Sequence, residues 1–231
     1  MKLTLLGVYG PFPAAGAGCS SYLIEDGDTK LLLDCGSGSL SRYRALMPGP
    51  LALDAIVLSH LHSDHAGEID LFRYMLEFGI GKAPLKVLSP EVDRLRYPVF
   101  EPISVRDGTI ERIGSLTLRF LAVRHAVPTV GVRITNEAGR SMFYTGDSAL
   151  FDGLIDAARG ADLLLADACL FDESNPKALQ NHMTVAQVEQ LRRDAGCSRA
   201  ILTHRFGGAA EPIPLSDPLC FHAVEGAVYE I

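Results

Sequence analysis

No apolar run in these 231 residues approaches the roughly 20 needed to cross a bilayer as a helix, so a membrane is not expected as a partner. Long Gly/Ser linkers, low-complexity tracts and short solenoid repeats are also missing. That leaves one large domain over residues 1–231 as the expectation. Basic residues are scarce: 21 Lys and Arg stand against 28 Asp and Glu, for a formal net charge of −7. A broad nucleic-acid surface usually needs a basic face, so this balance weighs against one, while a small local phosphate site stays open. The cysteines are few and odd in number: Cys19, Cys35, Cys169, Cys197 and Cys220. Scattered in this way they favour a reducing cytoplasm over a disulfide framework. The opening Met1-Lys2-Leu3-Thr4-Leu5-Leu6-Gly7-Val8 is too short in its apolar part for a signal peptide, and Tyr9-Gly10-Pro11 interrupts it. It reads as a first strand.

What is present is ordinary globular material, 48% hydrophobic and 21% charged, in a chain long enough for a substantial core. Residues 2–8, 21–25 and 29–34 read as strands, with Asp26-Gly27-Asp28 as a hairpin turn. A helix is expected over 38–47, a strand over 54–59, and a helix over 66–78 with Ile69, Phe72, Met75 and Leu76 on its apolar face. Further strands are expected at 85–89, 115–123, 130–135, 141–145, 162–167 and 199–203. Helices are expected over 149–159, ending at Gly160, and after Thr184, whose partner Gln187 stands at the capping-box position before Gly196 closes the helix. Hairpins followed by a strand–helix unit thus occur twice. Two such halves suggest two sheets packed face to face with helices outside.

The chemistry concentrates in His60-Leu61-His62-Ser63-Asp64-His65. This stretch follows the apolar run Ala55-Ile56-Val57-Leu58, so it lies at the C-terminal end of a buried strand, where α/β proteins place their sites. His60 and His62 share a side of an extended segment, and Asp64 and His65 fall on the turn that follows. A lone histidine is usually a surface or satisfied core residue. Four ligand-type side chains in six positions read instead as a metal or catalytic site. One metal cannot easily use all four at this spacing, but two adjacent metals can. Three more candidates follow strands: His125, Asp147 in Tyr144-Thr145-Gly146-Asp147, and His204. Each alone has a bland explanation, helix N-capping for Asp147 among them. Together they complete a set of seven, suited to two zinc ions with open positions.

His60-x-His62-x-Asp64-His65, followed by His125, Asp147 and His204, resembles the metallo-β-lactamase superfamily. Asp34 in Leu31-Leu32-Leu33-Asp34-Cys35-Gly36 matches its first motif. The resemblance implies an α+β fold, a four-layer αββα sandwich with the metals at the edge between the sheets. It further implies that His60, His62 and His125 hold one metal and that Asp64, His65 and His204 hold a second. Asp147 would bridge both, and Asp34 would orient a ligand imidazole. An Asp at position 147 argues against lactam hydrolysis and toward phosphodiesters. The match is narrower with ribonuclease Z and its phosphodiesterase relatives. The stretch from His125 through Val127-Pro128 to Ile134 looks like the region after that family's third motif. Asp167-Ala168-Cys169-Leu170-Phe171 is similar to its His-Glu-Ala-Thr stretch, with Asp for Glu. Asn181-His182-Met183-Thr184 is similar to its His-Ser-Thr motif, whose histidine moves a proton.

Two departures point away from tRNA. Only 22 positions separate His125 from Asp147, room for a hairpin but not for the family's tRNA-gripping arm. The loop Gly10-Pro11-Phe12-Pro13-Ala14-Ala15-Gly16-Ala17-Gly18-Cys19 carries no Lys or Arg. The whole resembles the armless, class-II-like cyclic nucleotide phosphodiesterases at least as much. The expected reaction is hydrolysis of a small phosphodiester or nucleotide, or of an RNA 3′ end, by a hydroxide between two zinc ions, with manganese or iron as alternatives. Asp64, Asp34, His182 and Asp167 are the catalytic candidates, His182 as the acid polarised by Asp167. Arg205 is a candidate phosphate contact, against its commoner role as an exposed arginine. A tRNA ranks lower as a partner, a homodimer is left open, and thioester or lactone hydrolysis on the same site is the alternative chemistry.

Overall fold

A computed structural model of the chain describes residues 1–208 and 212–231. The first half runs β1 (Lys2–Gly7), β2 (Tyr9–Gly10), β3 (Ser21–Asp26), β4 (Thr29–Leu33), α1 (Ser39–Leu46), β5 (Ala55–Val57), α2 (Ser63–Ala66), α3 (Ile69–Glu77), β6 (Leu85–Ser89) and β7 (Phe100–Ser104). The second runs β8 (Ile110–Ile113), β9 (Leu116–Ala122), β10 (Val130–Asn136), β11 (Ser141–Tyr144), α4 (Asp152–Ala158), β12 (Leu163–Asp167), α5 (Val185–Ala195), β13 (Ala200–Thr203), β14 (Arg205–Phe206), β15 (Cys220–His222) and β16 (Val228–Glu230).

Fourteen of these strands make two seven-stranded mixed sheets, in the orders β16-β1-β3-β4-β5-β6-β7 and β15-β13-β12-β11-β10-β9-β8, and β2 pairs with β14 in a parallel ribbon. Each large sheet is antiparallel on one side and parallel on the other, because hairpins build one half and helix crossovers the other. The period-2 geometry of a strand sorts the core into layers. Leu31 and Leu33 of β4 face the second sheet, where they meet a cluster that includes Leu118, Phe120, Val132 and Leu165. Leu32 between them points the other way, into a cluster with Tyr43, Phe72 and Leu76 on the helices. Leu164 of β12 likewise turns outward to Leu154 of α4 and Val188 and Leu191 of α5. The result is the α/β/β/α layering expected from the sequence. No helix among the described residues is long and apolar enough to cross a membrane.

The elements differ from expectation in instructive places. The helix expected over 66–78 starts only at Ile69, as α3, and Asp64 and His65, expected on a turn, lie in the short helix α2 before it. Glu68 between the two helices leaves helical geometry, and its carboxylate instead accepts the Gly38 and Leu40 amides and the Ser39 hydroxyl at the start of α1. It therefore caps a neighbour's orphaned donors. The helix over 149–159 begins only at Asp152, with Phe151 as its N-cap, so Asp147 is not a helix cap. Strands β7, β8, β15 and β16 were not anticipated. Strand β7 contains Pro102, which reads as a strand breaker, and it is tolerated because β7 is a sheet edge. The capping box of α5 is formed as its sequence implies: Thr184 accepts from the Gln187 amide, and Gly196 closes the helix at φ 63°.

Candidate metal centre

The parallel strands of both sheets end at one place. Asp34 follows β4, Ser59 and His60 follow β5, Asp147 follows β11, Asp167 ends β12 and His204 follows β13. Six of the chain's seven histidines lie there; only His222 stands apart.

One group is His60, His62 and His125. His60 Nε2 lies 3.0 Å from His62 Nδ1, and His125 Nε2 lies 3.3 Å from the same atom. Ligands bonded at about 2.0–2.1 Å around one tetrahedral ion stand about 3.3 Å apart, so the spacing fits three nitrogens on a common centre. The rings are held from behind. His60 Nδ1 lies 3.1 Å from the Ser59 hydroxyl, and His125 Nδ1 donates to the Asn181 carbonyl at 3.1 Å. Burial and the neighbouring imidazoles push the pKa of His60 far down, and burial also lowers His125. Neutral imidazole is the form that binds a metal.

The second group is Asp64, His65, Asp147 and His204, all buried. His204 Nε2 lies 3.0 Å from Asp64 Oδ2, and His65 Nε2 lies 3.5 Å from the same oxygen. Asp147 Oδ1 is 3.2 Å from His65 Nε2, while its Oδ2 is 3.3 Å from His204 Nε2 and 3.8–3.9 Å from His60 and His125. One carboxylate thus faces both groups.

Two observations say that these donors suit cations. His65 Nε2 and Asp147 Oδ1 are buried and close, yet neither has a hydrogen-bond partner. Leaving buried polar atoms unpaired costs about 1–3 kcal/mol each, so a pair aimed at shared space calls for a third party. Second, Asp34, Asp64, Asp147 and Asp167 are all 8% exposed or less. Their ion-pair partners among the described residues are histidines alone. Burial disfavours the charged form of His65 and His204, but the facing carboxylates, Asp147 foremost, overcome it and hold both well above the usual histidine value. Buried carboxylates gathered in this way suit metal ions, whose charge would balance theirs.

Asp34 organises the second group without facing it. Its carboxylate accepts the Ser59 amide at 2.7 Å, the Tyr144 hydroxyl at 2.6 Å and His65 Nδ1 at 2.8 Å. That fixes the His65 tautomer and turns Nε2 toward Asp147. Asp34 and His204 are the only described non-glycine residues with positive φ, at 54° and 55°. Such backbone costs about 1–3 kcal/mol and persists where surrounding contacts enforce it. Here the two sheets are tied across the core by Tyr144 to Asp34 and by Tyr22 to Thr203 at 2.8 Å, with the two rings edge to face at 5.2 Å.

His182 stands at the rim of the centre. Its Nδ1–H donates to Asp167 Oδ2 at 2.8 Å, and its ring stacks on His204 at 5.3 Å. Burial would lower its pKa, but Asp167 outweighs this and raises it. Asp167 is itself held by the amides of Ser148 and Cys169. Arg205 stacks over the Tyr9 ring at 5.4 Å and is not within ion-pair distance of any of these carboxylates.

The sequence reading passed over Gly10. A Cβ there would lie 1.9 Å from His204 Nε2. The His204 ring cannot easily yield, being stacked between His65 and His182. Gly10→Ala is therefore expected to weaken metal binding about 10–100-fold, as loss of a ligand's supporting contacts does elsewhere. The Asp64–His204 half of the site should suffer and the three-histidine half should not. Metal-affinity titration checks this, and unchanged affinity at both positions would show that the loop gives way. Nothing in a lone Gly-Pro pair announces this contact, which joins residues far apart in the chain.

A sequence profile of the beta-lactamase superfamily domain matches residues 29–205. The chain belongs to that superfamily. A probable metallo-hydrolase of Bacillus subtilis, YhfI, is 33% identical over 214 residues, covering 88% of this chain and 86% of the relative. The crystal structure of YhfI overlays with a TM-score of 0.87 at 28% identity, covering 99% of each chain. Ribonuclease Z of Mycobacterium bovis is 29% identical over 241 residues, covering 88% of this chain and 85% of the relative. The short form of human tRNase Z shares the fold, with a TM-score of 0.71 at 21% identity over 100% of this chain and 99% of that one. This superfamily member is accordingly a metallo-hydrolase related to ribonuclease Z.

Proposed function

We propose that the chain is a binuclear metal-dependent phosphodiesterase for small substrates, a nucleotide or cyclic nucleotide among them. The observation that carries this is the Asp147 carboxylate, set between two donor groups with a buried, unpaired oxygen facing an unpaired His65 nitrogen. His60, His62 and His125 would hold one ion, Asp64, His65 and His204 the other, and Asp147 both. Zinc suits these donors, as do manganese and iron. Bound there, such a pair supplies Lewis acidity toward phosphoryl oxygens and a lowered pKa for water.

The chain's own residues do the rest. Asp34 holds His65 in one tautomer. His182 holds a proton on Nε2, the nitrogen that Asp167 leaves free. Water oxygen bonds to phosphorus and releases a proton to solvent, the bond to the leaving oxygen breaks, and that oxygen takes the His182 proton. Asp167 stabilises the imidazolium until then and solvent reprotonates it afterwards. A cleft of about 560 Å³, walled by His62, Val92, Arg94 and Val127 with Glu91 and Asp93 beside them, offers room for the retained half of the substrate.

The ribonuclease Z relatives favour a second reading, tRNA 3′ processing. Against it, the segment from His125 to Asp147 is only the β10–β11 hairpin, and the Gly10–Cys19 loop has no basic residue. Metal-loaded protein should hold close to two equivalents by elemental analysis. It should cleave bis-p-nitrophenyl phosphate or a cyclic nucleotide with higher kcat/KM than a tRNA precursor, a thioester or a lactam. A ceiling of one equivalent would remove the binuclear reading, and faster cleavage of the precursor would make tRNA the substrate.

A further inference from the structure

On the His182 side of the centre lies a second hollow, of about 420 Å³, walled by Pro11, Leu170, Phe171, Asn175, His182 and Phe206. That is within the range of small-molecule sites, about 300–1,000 Å³. Phenyl rings line up along it. Phe206 meets Phe12 edge to face at 5.3 Å and Phe171 at 6.1 Å. Phe12 is 47% exposed and Phe171 51% exposed, and Phe206 between them is half-buried. Exposed apolar rings gathered in one place mark a binding surface. The hollow has no Lys or Arg in its walls, and its Asp172 accepts the Ser174 amide at 2.8 Å, which keeps the carboxylate charged. It would repel an anion. The cleft past His62 has Arg94 in its walls, together with Glu91 and Asp93.

The position of His182 gives the hollow its role. His182 forms part of the hollow's wall, with Nδ1 tied to Asp167 and Nε2 free. The group that receives its proton must lie on this side. We propose that the hollow binds the leaving alcohol of the substrate, and that this alcohol carries a flat, uncharged aromatic or heteroaromatic ring stacked on Phe171 and Phe206. The inference rests on the phosphodiesterase reading for its direction, but not for the ring itself. A polynucleotide on the leaving side would bring further phosphates past Asp172, so the alcohol is the size of one nucleoside.

Two readouts test it, one without turnover. Phe171 is half-exposed, so Phe171→Ala should fold, and circular dichroism checks that. Binding of 2-naphthalenemethanol, followed by naphthyl fluorescence, should weaken about tenfold in Phe171→Ala, in keeping with what one aromatic stacking partner contributes to base binding. In the metal-loaded enzyme, two methyl phosphodiesters with leaving alcohols of equal acidity, one naphthyl and one aliphatic, should show an aryl-to-alkyl kcat/KM ratio above one. Phe171→Ala should lower that ratio by a similar factor. Equal ring binding by both proteins overturns the subsite. So does a change of oligomeric state in Phe171→Ala with ring binding untouched, which would make a second copy of the chain the occupant. Ring binding that depends on Phe171, in fully loaded enzyme that cleaves neither diester, supports the ring subsite and overturns the phosphodiesterase reading alone.

Discussion

Asp147→Ala is expected to abolish phosphodiester hydrolysis and to weaken metal binding at both positions. Losing a partner that merely orients a ligand typically costs about 10–100-fold in affinity, and Asp147 faces both donor groups directly, so the loss should exceed about 100-fold. The variant should nonetheless fold. Asp147 Oδ1 is a buried oxygen without a hydrogen bond, so removing the side chain removes an unsatisfied acceptor along with its attraction for His65 and His204. What should vanish is the gain in Tm on adding metal, because a ligand stabilises only in proportion to its occupancy of the native state. Elemental analysis, chelator competition and thermal melts with and without metal check the three parts. Near wild-type turnover and metal content would mean that Asp147 holds neither ion. Loss of one equivalent with the other intact would make it a ligand of a single position.

The parts of this molecule that could be read from the chain are the local ones. His60 to His65 is legible because four ligand types crowd six positions after an apolar strand. Helix α5 is legible because its cap, its capping-box partner and its terminal glycine all lie within its own segment. The layering along Leu31-Leu32-Leu33 is not legible, since three identical residues show no alternation although Leu31 and Leu33 face the other sheet and Leu32 the helices. The unread parts depend on distant contacts. Glu68 reads as helix, yet its carboxylate serves the start of α1. Short edge strands such as β8 and β16 are too brief for any period to emerge. The pairing of Tyr22 with Tyr144, the space Gly10 leaves for His204 and the contact of Phe12 with Phe206 join residues more than a hundred positions apart. For the site, residue type and spacing nominate the seven proposed ligands, whereas Asp34, Asp167 and His182 enter only through the family resemblance, and the fold sets them beside the seven.

His182→Ala is expected to separate substrates by their leaving groups. The imidazole is anchored through Nδ1 by Asp167 at 2.8 Å, which leaves Nε2 free. A proton donor there matters only when the departing oxygen is basic enough to need the proton. For an alkyl or nucleoside leaving group its loss should lower kcat about 10²–10⁴-fold, the usual contribution of a positioned acid. Nitrophenolate departs unaided, so turnover of bis-p-nitrophenyl phosphate should hardly change. Asp167→Asn, which keeps the side chain's shape and removes its charge, should show the same selectivity to a smaller degree, because it leaves His182 in place but no longer favours its charged form. Metal content decides between this role and another. His182 also lies in two side-chain groupings that could take an ion, with Cys169 and His204, or with Asp147, Asp167 and His204. If His182→Ala loses an equivalent of metal, the histidine is a ligand and the proton comes from elsewhere. If both substrate classes slow equally with metal retained, His182 supports the shape of the rim through its stacking on His204. Only the split by leaving group, with two equivalents still bound, assigns the proton to this residue.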